Sequence, residues 1–357
     1  MKVIIAAGGT GGHFYPAIAL GEAFKSSGNE VIFVGRKGSI EEEKYSEYGF
    51  ITKTIHASQF DYAPRYLFRF LPNLLRGIFD SFRIVGRENP DAVIGCGGYV
   101  SAPIILASLL MGKPYFLYEQ NIIPGRANKI FSRFARKVFL GFKDEYNYFG
   151  SKGIFTGNPI RAKMIILDRR DALNALGLRD VPTLLVFGGS GGSDKINKVV
   201  AAAVQEILQK ANLQIIFVTG NRMYDEIRNK INIPQVKVLR YLEDMQLAYS
   251  AADFAITRAG AMTLTELAHY KIPSILIPFP FATYDHQKKN AFYLANKGCV
   301  EIIDENDFTE RLIVDKIVYY FTHNDIINKM KECFKGSIFP ENSAELIVSE
   351  VMDIVKG

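Results

Sequence analysis

The chain has 357 residues, 48% of them hydrophobic and 22% charged, which is too much length for one ordinary core and enough apolar material for two. Its formal net charge of +6 asks for an acidic partner such as nucleic acid, anionic lipid or a phosphorylated substrate. No apolar run reaches the ~18 residues of a membrane span, no leader peptide is expected because a strand opens at residue 3, and Cys96, Cys299 and Cys333 show no C-x-x-C spacing, which argues against a disulfide framework and a zinc site and fits a reducing cytoplasm.

The first strand, residues 3–7, runs into Gly8-Gly9-Thr10-Gly11-Gly12-His13, with a helix expected over 16–27. Strands are expected at 30–34, 92–95, 114–118 and 137–140, with a helix around 101–111. The opening design recurs at residues 183–187, which run into Gly188-Gly189-Ser190-Gly191-Gly192-Ser193. At such a corner, bare backbone N–H groups and a helix N-terminus face an anion or a sugar without side chains in the way. Further strands are expected at 214–219, 236–239, 254–257, 274–277 and 300–303. Short apolar runs alternating with helix-length segments signify parallel sheets covered on both faces. The fold class is therefore α/β, with two Rossmann-like, doubly wound domains facing a cleft. Two glycines and a proline in residues 153–159 mark the connector. The expected domains are 1–157 and 158–340, with a final helix in 341–357 packing back on the first.

Neither corner is a dinucleotide fingerprint. Counted from Gly9, Phe14 stands where the third glycine belongs, and the next strand ends at Val34-Gly35-Arg36 without an acid. Counted from Gly189, Asp194 takes the last position, and no G-K-[ST] follows either cluster. Simple NAD binding and ATP hydrolysis are set aside.

Residues 60–87 form the basic, aromatic stretch that the net charge calls for. Between Asp61 and Asp80 there are arginines at 65, 69 and 76 and no acid. Such a segment can lie on an anionic membrane surface, with arginines on lipid phosphates and Phe or Leu below. The other reading is core between two strands. Pro64 and Pro72 are expected to break it into more than one helix. Lys129, Arg133, Arg136 and Lys137 add charge in the same domain. No nucleic-acid motif is present, and the bases are interleaved with aliphatics, so no nucleic-acid partner is expected.

Six motifs occur in order: Gly8-Gly9-Thr10-Gly11-Gly12-His13, Gly97-Gly98-Tyr99-Val100-Ser101-Ala102-Pro103, Glu119-Gln120-Asn121, Gly157-Asn158-Pro159-Ile160-Arg161, Arg258-Ala259-Gly260-Ala261 and Asp285-His286-Gln287-Lys288-Lys289-Asn290. Together they resemble the MurG family of bacterial N-acetylglucosaminyltransferases, over nearly the whole chain. That resemblance implies a GT-B fold and a peripheral enzyme of peptidoglycan synthesis at the cytoplasmic face of the plasma membrane. It also implies inverting transfer from UDP-N-acetylglucosamine, held mainly by the second domain. The acceptor would be undecaprenyl-diphosphate-linked muramyl-pentapeptide, turning lipid I into lipid II on the first domain. Three alternatives share the architecture: transfer to another lipid such as a diacylglycerol, a UDP-N-acetylglucosamine 2-epimerase needing no lipid, and a non-catalytic UDP-sugar binder.

At Ala261-Met262-Thr263-Leu264-Thr265 a helix begins, and its free N–H groups and dipole suit a diphosphate. Thr263 adds a hydroxyl, and Glu266 lies on the same face. The resemblance gives Glu266 the ribose hydroxyls; the alternative is that Thr263 and Glu266 only cap and charge the helix start. Gln287 and Asn290, three apart, present amides that suit vicinal sugar hydroxyls, and the resemblance assigns Gln287 to N-acetylglucosamine. It likewise gives the Leu242 backbone to uracil, and Ser190 and Arg161 to donor sugar and phosphate. Thr10, Gly11 and Gly12 supply the substrate-binding backbone of the first corner.

His13 is the candidate general base, since an imidazole titrates near neutrality; a hydrogen-bonding role at the helix start is the other reading. Glu119 is the second candidate, and Asn121 is expected to orient substrate. Tyr118 stands where the family often has His. No D-x-D or His/Asp cluster appears, so neither an obligatory metal nor a cofactor is expected. His56, His269, His286 and His323 are read as structural or surface residues.

Overall fold

The computed structural model describes residues 1–8, 11–57, 64–336 and 338–357, and only the backbone of Gly11, Ile40, Glu41, Glu43 and residues 64–71. In chain order the elements are β1 (Lys2–Ala6), α1 (Gly11–Ser26), β2 (Glu30–Arg36), α2 (Ile40–Glu47), β3 (Ile51–Ile55), α3 (Pro64–Glu88), β4 (Ala92–Gly95), α4 (Gly98–Leu110), β5 (Tyr115–Glu119), α5 (Arg126–Phe131), β6 (Val138–Leu140) and β7 (Gly153–Phe155). They continue with α6 (Arg169–Ala175), β8 (Thr183–Phe187), α7 (Asp194–Lys210), β9 (Gln214–Val218), α8 (Tyr224–Lys230), β10 (Val236–Leu239), α9 (Met245–Ala251), β11 (Phe254–Thr257), α10 (Ala261–His269), β12 (Ser274–Leu276), α11 (His286–Ala295), β13 (Val300–Ile302), α12 (Glu310–Thr322), α13 (Asn324–Glu332) and α14 (Ser343–Lys356).

The chain divides into two compact units. Met1–Ala162 with Phe339–Gly357 form the first and Lys163–Ile338 the second; the sequence alone places the division after Gly157. The first unit holds a parallel sheet of order β3-β2-β1-β4-β5-β6-β7. Its central strands β1, β4, β5 and β6 are largely apolar because both faces are covered. Val3 and Ile5 of β1 pack with Phe14 and Ile18 of α1 and Ile347 and Val351 of α14. The intervening Ile4 and Ala6 pack with Val100 and Ile104 of α4 on the other face. Helix α14 is tied to this unit by Ser343, whose hydroxyl donates to the Gly157 carbonyl at 2.8 Å.

The second unit repeats the plan with order β10-β9-β8-β11-β12-β13, again all parallel. Leu184 and Val186 of β8 share a core with Ile196, Val200 and Val204 of α7 and Ile313 and Ile317 of α12. In both sheets the strand order reverses direction between the first strand and its neighbour, β1/β4 in one and β8/β11 in the other. Ligands of such sheets bind beyond the carboxyl ends of the strands at that reversal. The second glycine corner opens there, as do Gly8 and the start of α1 in the first unit.

Three expectations need correction. Helix α1 begins at Gly11 and carries Pro16 inside it, because a proline φ is helical and the ring sacrifices only the bond to the Gly12 carbonyl. Helix α3 runs unbroken from Pro64 to Glu88. Pro64 takes the first helical position, where the N–H has no intrahelical partner, and Pro72 forfeits one bond. The loss is outweighed by packing on α4, which buries Gly77, Ser81 and Val85 along one face. Residues 60–63 of that stretch lie outside the described residues. Finally, Cys299 and Cys333 are joined as a disulfide across 34 residues, with Cα atoms 5.5 Å apart; the packing of α13 beside the start of β13 makes the pair, which no sequence spacing reveals. Cys96 stays a buried free thiol whose pKa burial pushes up.

Candidate functional site

In the first unit the reversal point is built by the ends of β1 and β4. The chain leaves β4 through Gly97 and Gly98, at φ +86° and +76°, a region that a Cβ disfavours. The His13 ring, on the first turn of α1, lies against this backbone. A Cβ on Gly97 would stand 2.9 Å from both Nδ1 and Cε1 of His13, and one on Gly98 would run into the Gly8 carbonyl oxygen. Ser101 fastens the corner, its Oγ lying 2.8 Å from the Ala6 carbonyl oxygen and 2.6 Å from that of Gly97. At the end of β5, Gln120 brings its amide Nε2 to 3.2 Å from His13 Nδ1. Thr10 lies outside the described residues, and Gly12 is half-buried beside His13.

Glu119 is buried and already engaged. Its Oε1 accepts from the Asn121 N–H at 3.0 Å, and its Oε2 accepts from the Gly125 N–H at 2.8 Å and Asn128 Nδ2 at 2.9 Å. Burial pushes its pKa above the ordinary carboxylate value, and these donors pull it part of the way back. The carboxylate thereby ties down the loop that carries Gln120 and Asn121. Tyr118 is fully buried and donates to Asn158 Oδ1; burial drives its pKa well up, so it holds the connector instead of titrating. Arg161 belongs to the same unit, its guanidinium 4.2 Å above the Tyr15 ring and donating to the Tyr48 hydroxyl at 3.2 Å.

In the second unit, the ends of β8 and β11 carry Ser190, which is exposed, and Arg258. Helix α10 starts after Gly260 with no side-chain cap, so its first N–H groups are open to an anion. Ala261, Met262, Leu264 and Thr265 are buried; what they offer outward is backbone, while Thr263 and Glu266 are half-exposed. Glu266 Oε2 accepts from the Tyr249 hydroxyl at 2.8 Å, which orients the carboxylate. Gln287 is half-exposed and its Oε1 accepts from the Phe279 N–H at 3.0 Å. Asn290 is fully buried, one turn deeper in α11. Leu242 is half-buried in the loop after β10. Arg258, buried, donates to the carbonyls of Ile277 and Pro278 at 3.1 and 3.3 Å and pairs with Glu305, holding the strand end from which Phe279 and Gln287 approach.

These two arrangements match known proteins end to end. Residues 3–140 match the glycosyltransferase family 28 N-terminal domain, and residues 183–346 match its C-terminal domain. The chain belongs to glycosyltransferase family 28. A family member of Natranaerobius thermophilus, named UDP-N-acetylglucosamine--N-acetylmuramyl-(pentapeptide) pyrophosphoryl-undecaprenol N-acetylglucosamine transferase, is 37% identical over 97% of this chain and 98% of its own. A crystal structure of Acinetobacter baumannii MurG has 25% identity, TM-score 0.75 and 99% coverage of both chains. A putative UDP-N-acetylglucosamine 2-epimerase from Listeria monocytogenes reaches TM-score 0.71 at 13% identity, over 99% of this chain and 96% of that one. That last likeness shows the shared fold alone.

Within the family 28 fold, the first unit gathers His13, Gly97, Gly98 and Gln120, with Glu119 holding the loop. The second gathers Glu266 with Tyr249, and Gln287 with Phe279. Tyr249 lies in none of the six motifs, and Arg258 and Gln120 stand in two of them without a role of their own, because each acts on a neighbour that is distant in sequence. A tyrosine at 249, in an otherwise apolar helix face, carries the one available signal, a hydroxyl that burial obliges to find a partner.

Proposed function

We propose that this family 28 member moves N-acetylglucosamine from UDP-N-acetylglucosamine to undecaprenyl-diphosphate-linked muramyl-pentapeptide. The observation that carries this reading is the full-length likeness, at 37% identity, to a transferase of that name. The second unit takes the donor: the N-terminus of α10 faces the diphosphate, Glu266 the ribose, Gln287 the sugar and the Leu242 backbone the uracil. The acceptor falls to the first unit, where His13 removes the proton of the attacking hydroxyl. One C–O bond forms at the anomeric carbon as the bond to diphosphate breaks, the electron pair leaves with UDP, and the proton goes to the imidazole. Glu119 serves by fixing the loop of Gln120 and Asn121.

The test is transfer of labelled N-acetylglucosamine to the lipid-linked acceptor, with a chelator present and a no-acceptor control. Product confined to the acceptor-containing sample is the expected result. Product without acceptor, as a 2-epimer of the donor sugar, would establish the epimerase instead. Glu266→Ala removes a charged hydrogen bond of roughly 1.5–3 kcal/mol, so UDP-N-acetylglucosamine affinity should fall about tenfold or more; unchanged affinity would take the ribose contact away from Glu266.

No helix among the described residues is long and apolar enough to cross a membrane. Helix α3 offers a different attachment. Opposite its buried face, Leu75 is 61% and Phe79 69% exposed, with Arg76 and Arg83 also exposed. Apolar side chains among arginines suit the headgroup layer of an anionic membrane, which supports peripheral attachment of the enzyme at the cytoplasmic face. Phe79→Asp should reduce cosedimentation with phosphatidylglycerol vesicles about tenfold or more, because burying a Phe contributes roughly 1.5–3 kcal/mol. Undiminished binding would move the membrane contact elsewhere.

A further inference from the structure

Gln120 has no role in the reaction as written, yet its side chain touches the imidazole. We infer that Gln120 is a positioning residue whose amide selects the tautomer in which His13 can accept a proton at Nε2 and then holds the imidazolium that forms. The inference rests on the base role proposed for His13.

The Gln120 side chain ends in an amide. Its nitrogen lies 3.2 Å from His13 Nδ1, and half a turn about the last side-chain bond exchanges nitrogen and oxygen at that position. Gln120 is 7% exposed, and Oε1, at the far end of the amide, is buried without a hydrogen-bond partner. Among the described residues, turning the amide therefore sacrifices no bond beyond the one that its oxygen remakes with His13.

The two orientations differ in what they do to the ring. With nitrogen inward, Nδ1 must accept, the ring proton sits on Nε2, and Nε2 has no lone pair to offer. With oxygen inward, Nδ1–H donates and Nε2 becomes the basic atom. Once a proton arrives, the imidazolium is a donor at both nitrogens, so an inward NH2 would face an N–H. Only the oxygen-inward amide suits the charged ring, and a charge-assisted bond is stronger than a neutral one. The preference grows as the proton moves, which is the condition for lowering a barrier instead of tightening binding.

The surroundings keep the pair in register. Gly97 and Gly98 back the ring so closely that no Cβ fits at Gly97 without displacing it. The Gln120 backbone sits between Glu119, fixed by the Asn121, Gly125 and Asn128 donors, and Asn121 itself. Of the titratable groups on the packed strands, the Glu119 oxygens are engaged by those donors, the Tyr118 hydroxyl donates to Asn158, and Cys96 is a buried thiol. A neutral amide held with its oxygen inward fixes the tautomer without forcing the ring to be charged in the resting enzyme.

The test is a long-range proton–nitrogen correlation spectrum of the full chain labelled with 15N-histidine, joined to pH profiles of kcat/KM. The wild-type His13 should carry its proton on Nδ1. In Gln120→Leu it should shift to Nε2, with kcat about tenfold lower or more and the KM for UDP-N-acetylglucosamine unchanged. Gln120→Glu, of nearly the same size, should keep the Nδ1–H form and raise the acid limb of the profile by about one pH unit, because a carboxylate favours the imidazolium. A tautomer indifferent to Gln120→Leu, or an acid limb unmoved in Gln120→Glu, overturns the inference, even if both variants melt earlier. If His13→Ala retains transfer while the tautomer in the chains that keep His13 still follows residue 120, the base role falls, and with it the hold on the imidazolium, while the selection of the tautomer stands.

Discussion

Replacing His13 by alanine is expected to lower kcat for transfer by about 10²–10⁴-fold, the usual contribution of a positioned general base. The affinity for UDP-N-acetylglucosamine should not change, because the groups assigned to the donor lie on α10, α11 and the loop after β10 in the other unit. The imidazole is not an interchangeable helix-start residue. Two glycines with positive φ are shaped around its ring, and a buried glutamine is turned to one of its nitrogens. A residue that only began the helix would need neither. The measurement is single-turnover transfer with saturating donor, which separates chemistry from binding. A loss below about tenfold would leave His13 as a helix-start hydrogen-bonder and return the base role to another group.

The alternation of apolar strands with helix-length segments made the two sheets legible, since a strand buried on both faces has no polar positions to hide it. The misses have physical reasons. Strand β3, Ile-Thr-Lys-Thr-Ile at the sheet edge, is half-exposed and reads as neither pattern. Pro16 reads as a helix start, and Pro64 and Pro72 as breaks, when local propensity is weighed without the packing that overrides it. For the site, glycines, His13, Glu119 and Glu266 announce themselves by type and spacing. Their supporting contacts do not, because Tyr249 to Glu266 spans 17 residues and Gln120 to His13 spans 107. Only the strand order brings β5 beside β4, and so Gln120 to the imidazole.

Glu119 supplies the second large effect, and the quantity that falls should be stability before chemistry. Glu119→Ala leaves the Asn121 and Gly125 N–H groups and the Asn128 amide facing an apolar void, where each unsatisfied donor costs about 1–3 kcal/mol. A combined loss of roughly 3–5 kcal/mol is a large share of the ~5–15 kcal/mol that holds a domain together. At about 2–4 °C per kcal/mol for a unit of this size, calorimetry should show the first unit melting roughly 6–20 °C earlier. Glu119→Gln should recover little, because its amide nitrogen would meet donors on one side wherever it turned: Asn121 N–H at one oxygen position, Gly125 N–H and Asn128 at the other. Transfer should decline in step with the loop's disorder, through Gln120 and Asn121, and should recover in part on cooling. An alanine variant that melts with the wild type but has lost transfer outright would reverse the assignment, for it would mean that the carboxylate takes the proton itself and that its three donors serve only to aim it.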